Sequence, residues 1–172
     1  RAAARNIGID IAVNSRLDWI TFLDQDDWLP ENSLFERLNW RGHAAWINGL
    51  QKFHLEVSSK PSWLRKEWLD QPQNGGVLGA SLFPIRIFSW VGKFNEDLTN
   101  GGDDIDWFAR FRKIGFSEKK LPVVVLNRGI HESNGSSNPN SSKDLLRMVR
   151  NSFSIDNKGS AVRIGVVMSI YN

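Results

Sequence analysis

Cysteine is absent from the 172 residues. That excludes a disulfide framework and thiolate metal sites, and it fits a reducing compartment. No apolar run approaches the roughly 20 residues that a membrane helix needs, and no signal peptide is visible. Charge of one sign is also scarce: 22 Lys and Arg against 19 Asp and Glu leave a net +3, which makes no case for nucleic acid as a partner. There is no internal repeat, and the only biased tract is a Ser/Asn-rich loop near the C-terminal end. What remains is ordinary for a globular protein: 41% apolar and 24% charged residues, in a chain long enough for one domain with a real core.

Tryptophan is the residue in surplus, with eight copies. Trp63 and Trp68 share one short segment, and Trp19, Trp28 and Trp107 stand beside acidic residues. Core and surface filling is the favoured reading for most of them; stacking on sugar rings is the sharper alternative.

Strand and helix patterns interleave along the chain. Ala3, Ala4, Ile7, Ile11 and Ala12 recur at helical spacing and predict a helix over residues 2–14. Residues 18–23 read as a buried strand. Pro30 suits the first turn of a helix to about residue 40, with Leu34 and Leu38 inward. Residues 43–48 and 51–57 are strand-like, 61–69 form a short amphipathic helix, 71–76 a loop and 77–83 a strand. Pro84 starts a short helix with Ile85, Phe88 and Val91 inward. Residues 103–114 read as a helix with Phe108, Phe111 and Ile114 on its apolar face, and Gly115 suits its C-terminal stop. A strand over 121–126 and a polar loop over 127–140 follow. Ser141 and Asp144 resemble a capping box for a helix to about residue 153, and a very apolar strand occupies 162–169. This alternation predicts an α/β fold with a mainly parallel sheet.

The sequence "ITFLDQDDWLP" (residues 20–30) ends a buried strand in three carboxylates, Asp24, Asp26 and Asp27. In open α/β sheets ligands sit beyond the carboxyl ends of strands. Carboxylates two apart on a loop can face one hard cation, and Mg²⁺ or Mn²⁺ is commonly held by such groups together with substrate phosphates. A solvated turn in which Asp26 or Asp27 caps the following helix is the plain alternative. An EF-hand fails, because Trp28, Leu29 and Phe35 stand where that loop needs a ligand, Gly and Glu.

A second acidic cluster, Asp103, Asp104 and Asp106, opens the helix that follows two glycines. The helix dipole accounts for one of these carboxylates but not for three. One aimed at a substrate hydroxyl would serve as a general base, while Arg110 and Arg112 are placed to pair with Asp106 and its neighbours. His131 lies in a polar loop after the last strand, where a neutral imidazole can add a metal ligand. His43 and His54 carry no assigned role.

Taken in order, "AAARNIGI" (2–9), "ITFLDQDDWLPENSL" (20–34), "GASLFPIRIFSWVGKFNEDL" (79–98), "GGDDIDWFARFRKIG" (101–115) and "IHESN" (130–134) resemble the family 2 glycosyltransferases of the GT-A fold. The resemblance covers residues 2 to about 153. It implies a Rossmann-like α/β sheet with flanking helices, and an inverting, metal-dependent transfer of a sugar from a nucleotide diphospho-sugar to a saccharide, lipid or protein hydroxyl. Under it, Asp26 holds Mn²⁺ or Mg²⁺ with Asp24 and His131. Asp24 also lies toward the nucleotide ribose, and Asp27 supports. Arg5 and Asn6 sit near the nucleotide-sugar. Asp104 is the catalytic base, beside Asp103, which replaces the family's usual Glu, and Asp106.

The resemblance also implies that residues 1–153 are the C-terminal two-thirds of one such domain, 154–161 a linker, and 162–172 the first strand of a following domain. The chain would then be a section of a longer tandem protein, or else a circular permutant, and inactive by itself. The parent protein would be cytoplasmic, at the inner face of the membrane through peripheral association. Two other classes stay open from the residues: a haloacid-dehalogenase-like phosphoryl-transfer enzyme, which Trp28 after Asp27 fits poorly, and a non-catalytic carbohydrate-binding module built on the tryptophans.

Overall fold

The computed structural model describes residues 1–56, 61, 64–99 and 101–131. The helix expected over 141–153, the linker and the apolar strand at 162–169 lie outside the described residues, as do Val57 and Trp63.

Helix α1 (Ala2–Asn14) buries Ala2, Asn6, Ile9 and Ala12, a spacing that places them along one side. It ends in a Schellman turn: Arg16 takes a positive φ of 55°, its amide bonds Val13 O, and the Leu17 amide bonds Ala12 O. Strand β1 (Trp19–Ile20) leads to the acidic loop, then to β2 (Asp27–Trp28) and helix α2 (Ser33–Leu38). Strand β3 (Trp46–Leu55) is the long central strand. It is followed by α3 (Lys66–Asp70), β4 (Gln73–Asn74), a 3₁₀ turn at Leu78–Ala80, and β5 (Ser81–Pro84). Helices α4 (Ile87–Val91) and α5 (Asp103–Ile114) precede β6 (Glu118–Ile130).

The sheet order is β1-β5-β3-β6-β2, with β4 on the same edge of β3 as β5. Only β3 and β6 pair in parallel; β1–β5, β3–β5, β3–β4 and β2–β6 are antiparallel. The expectation of a mainly parallel sheet is therefore corrected to a mixed one. The physical reason is an insertion. Strands β1, β3 and β6 do run one way, separated by helices as the alternation implies. The chain then sends β5 back between β1 and β3, the short β4 folds back onto β3, and β2 adds an antiparallel edge to β6.

The core is aromatic. Trp46, Phe83, Phe88, Phe94, Trp107, Phe108 and Phe111 pack together where α4 and α5 cover β5 and β3. Trp107 is fully buried and its indole N–H donates to Gly92 O at 2.9 Å, so filling the core is its role. Ile114, expected on the apolar face of α5, is about half exposed instead, because α5 turns Trp107 inward with Phe108 and Phe111.

Helix α2 departs further from its sequence pattern. Leu34 is exposed, and the buried positions are Ser33 and Arg37. Arg37 is completely buried. Its guanidinium donates to the carbonyls of Ser33, Gly79 and Ser81 and to the hydroxyls of Thr21 and Ser33. Ser33 Oγ in turn donates to Val125 O in β6 at 2.6 Å. These bonds tie α2 to the segment after β1, to β5 and to β6. Both ends of the acidic loop are thereby fixed to the sheet.

Candidate functional site

Residues 24–27 form a turn closed by the Asp27 amide on Asp24 O at 3.1 Å. Beyond it, β2 pairs with β6, with Asp27 opposite Arg128 and Trp28 opposite Asn127. The ladder extends one step back, where the Gly129 amide donates to Asp26 O at 3.1 Å. A Cβ at residue 129 would strike that carbonyl oxygen, so the approach of the loop to β6 requires glycine there.

The turn does not cap α2. The residue before the helix is Asn32, at φ 62°, and no side chain caps the helix. The three carboxylates instead meet three nitrogen-bearing side chains from distant parts of the chain. Arg5 reaches Asp24 at 3.1 Å, His131 Nε2 lies 3.0 Å from Asp26 Oδ2, and Arg128 lies 3.7 Å from Asp27. Much of the positive charge that the acidic sequence demands is thus supplied by the chain itself.

Arg5 does more than pair with Asp24. Its other nitrogen donates to Asp103, which is almost fully buried at the start of α5. One guanidinium therefore joins the first acidic cluster to the second across 98 positions. Burial works against the Arg5 charge, yet Asp103 and Asp24, with a contribution from Asp104, raise its pKa above the ordinary arginine value. The guanidinium also lies 5.6 Å from the Phe94 ring centre.

Asp27 is the perturbed acid of the group. Burial pushes its pKa up to about 6 from 3.8, Arg128 opposes this, and the neighbouring charges of Asp26 and Asp24 add to it. Between those two values the folded protein holds more protons than the unfolded chain, so its stability falls as pH rises from about 4 to 6. The ceiling is about 3 kcal/mol at 1.36 kcal/mol per pKa unit. In the metal-free protein, Asp27→Asn is expected to flatten this part of the stability profile. Urea midpoints at pH 4.5 and 7.5 check it: wild type should lose more stability between the two than the variant. An equal change in both would show that the Asp27 carboxylate carries no such penalty.

The remaining sequence-predicted residues are placed as follows. Asp104 is half-buried next to Asp103, and its Oδ1 accepts from the Ile105 amide at 2.9 Å. Asp106 turns along α5 to an ion pair with Arg110 at 2.9 Å, as the spacing suggests. Asn6 is buried, and its amide bonds both backbone groups of Phe94 and Glu96 Oε1, so it holds the segment after α4 against α1. The structure therefore gathers Asp24, Asp26, Asp27, His131, Arg5 and Asp103, with Asp104 alongside. It directs Asp106 and Asn6 to other partners.

A cavity of about 740 Å³ opens beside this cluster. Arg5, Asp24, Asp26 and His131 line its polar side, and Ala4, Gly8, Ile11 and Leu17 its apolar side. Ligand atoms of Asp24, Asp26 and Asp27 lie within 4.8 Å of one another. Carboxylate oxygens this close, with an imidazole at their edge, suit a hard divalent cation of the Mg²⁺ or Mn²⁺ kind.

Arg128, Gly129 and Arg37 carry much of this geometry and were not singled out from sequence. Reading residues 127–140 as a loop hid the alternation of Asn127, Gly129 and His131 against Arg128 and Ile130, which continued β6 would have revealed.

No protein-family profile matches the chain, and no curated protein matches it in sequence. Among solved structures, its fold is similar to that of S. aureus TarS 1–349 in complex with UDP-GlcNAc, with a TM-score of 0.66 and 14% identity. The match covers 94% of this chain and 48% of that one, so the chain spans about half the length of that structure. The chain has a mixed α/β fold similar to that of TarS.

Proposed function

We propose that the protein is part of an inverting, divalent-cation-dependent glycosyltransferase of the family 2 type, acting on a nucleotide diphospho-sugar. The observation that carries this reading is the gathering of Asp24, Asp26, His131 and Arg5 along one cavity, with Asp103 tied to them through Arg5, from segments about a hundred positions apart. The likeness in fold to a protein that holds UDP-GlcNAc supports it.

Asp26, Asp24 and His131 are the residues that would hold Mn²⁺ or Mg²⁺, with Asp27 behind them. Such a cation, when bound, stabilises the charge that grows on a leaving diphosphate. Arg5 fixes Asp24 and keeps the two acidic clusters in register. Asp104 takes the proton of the acceptor hydroxyl as its oxygen bonds the anomeric carbon. The bond from that carbon to the diphosphate oxygen breaks, and the diphosphate leaves with the electron pair. The acceptor approaches from the face opposite the leaving group, which inverts the centre.

Calorimetric titration of the protein with UDP-GlcNAc and UDP-glucose, with Mn²⁺ and with EDTA, tests the reading. Binding should require the cation. Asp26→Ala should weaken it about tenfold or more, and Asp104→Asn should leave it within about twofold. In a preparation that transfers sugar, Asp104→Asn should cut turnover by about a hundredfold or more. Donor binding that ignores both the cation and Asp26 would sink the proposal.

A further inference from the structure

Among the described residues, the tryptophans separate by their surroundings. Trp107 and Trp46 are buried in the core. Trp40 is exposed, but Lys119 Nζ sits 3.5 Å from its ring centre, and Trp90 of α4 stacks on Phe116. Trp28 differs. It is 41% exposed, and it stands two residues beyond Asp26 on the short strand that carries the acidic turn.

The pairing register fixes which way Trp28 faces. It lies opposite Asn127, Asp26 opposite Gly129, and His131 follows two residues later, so side chains of Trp28, Asn127, Asp26 and His131 share one side of the sheet. His54 of β3 is paired with Gly129 and lies on that side too. The Trp28 and His54 ring centres are 4.8 Å apart at 46°. His54 Nε2 is fixed at 2.9 Å by Asn127 Oδ1. The indole thus packs against an imidazole that is itself held, and it keeps open surface next to the acidic cluster. Two residues along a strand is roughly 7 Å.

We propose that Trp28, which packs on His54 beside Asn127, is a stacking platform for a pyranose ring bound next to Asp26 and His131. The C–H face of such a ring lies on the indole while its hydroxyls reach the polar groups around Asp26 and His131. The ring belongs either to the nucleotide-sugar or to a saccharide acceptor; the stacking chemistry is the same. The assignment to a transferase rests on the proposed function, whereas the platform itself does not.

Three probes separate the cases in wild type, Trp28→Ala and Trp28→Tyr: UDP, the sugar-bearing UDP-GlcNAc and UDP-glucose, and chito- and malto-oligosaccharides. The first two are measured by calorimetry with Mn²⁺ and the last by saturation-transfer NMR. Thermal melts confirm that the variants fold, and Trp28→Tyr should retain most of the affinity. If the ring is the donor's, Trp28→Ala weakens UDP-GlcNAc or UDP-glucose by about tenfold and leaves UDP within about twofold. If it is an acceptor's, oligosaccharide signals fall by a similar factor and the nucleotides are unaffected. Trp28-dependent oligosaccharide binding without any nucleotide binding would keep the platform and remove the transferase reading. Equal loss of UDP would overturn the inference by making Trp28 a nucleobase contact. So would saccharide binding that is absent from wild type or indifferent to Trp28.

Discussion

Replacing Arg5 with alanine is expected to cost about 3–5 kcal/mol of folding stability. The guanidinium is the cation to which Asp103 is tied, and Asp103 is only 1% exposed. Removing it strands a buried carboxylate, which costs more than the lost attraction alone. The contact with Phe94 goes as well, and Asp24 loses the tether that links it to α5. A double variant tells the stranded charge from lost packing. Arg5→Ala with Asp103→Asn should recover a large part of the deficit, because an amide is far cheaper to bury than an ion. Urea unfolding of the four combinations measures the coupling. A single variant within about 1 kcal/mol of wild type, or a double variant no better than the single one, would show that this pair does not hold the two acidic segments together.

Arg37→Ala should be comparably severe, for the opposite reason. Arg37 is buried among neutral acceptors, with no carboxylate among its hydrogen-bond partners. Burial lowers its pKa to about 10, which still leaves it charged at neutral pH. Since the unfolded value is higher, the linked gain in stability with rising pH begins only above about pH 10, and the neutral range is unaffected. Truncation to alanine leaves the Gly79 carbonyl without this donor and opens a cavity the size of the side chain, again about 3–5 kcal/mol. Arg37→Lys keeps the charge but not the fork, so it should recover only part of the loss. Beyond stability, hydrogen exchange at the Asp27 and Gly129 amides should quicken in the lysine variant, because Arg37 braces α2 behind the loop. Unchanged protection there would confine Arg37 to a general packing role.

These two arginines also mark where the sequence was readable. Helices α1 and α5 run over the residues that their patterns indicate, 2–14 and 103–114, since the needed signals lie within each segment: small or apolar residues at helical spacing, acids in the first turn of α5, and Gly115 at its end. Hydrophobicity marked the strands but not their ladders. The run at 18–23, read as a buried strand, is only partly buried, leaves Leu23 half exposed and contributes only Trp19–Ile20 to pairing, because a ladder depends on β5, which lies some sixty positions away. The same distance dependence concealed β5's place between β1 and β3. A charged residue on a short helix reads as solvent-facing, and nothing local to Arg37 shows that carbonyls from residues 79 and 81 await it. The residues of the acidic loop could be named, because chemistry is written in residue type. Their cation partners could not all be named, because partnership is written in the fold.

The length of β2 has a kinetic consequence. This strand is two residues long, and it joins β6 to a turn whose contacts span 105 positions, from Asp26 to His131. Closing so large a loop for so few hydrogen bonds is entropically late work, done after the β3–β6 pairing and the aromatic core have made a surface to close onto. The reverse should hold on unfolding. Detachment of residues 24–28 from β6 would require less free energy than opening β3, so the cluster is expected to open locally while the rest of the domain stays folded, which amide exchange at Gly129 faster than in the aromatic core would check. Any ligand that bridges Asp26 and His131 then acts as a latch on this local opening, and its binding would slow amide exchange at Gly129 far more than in the aromatic core.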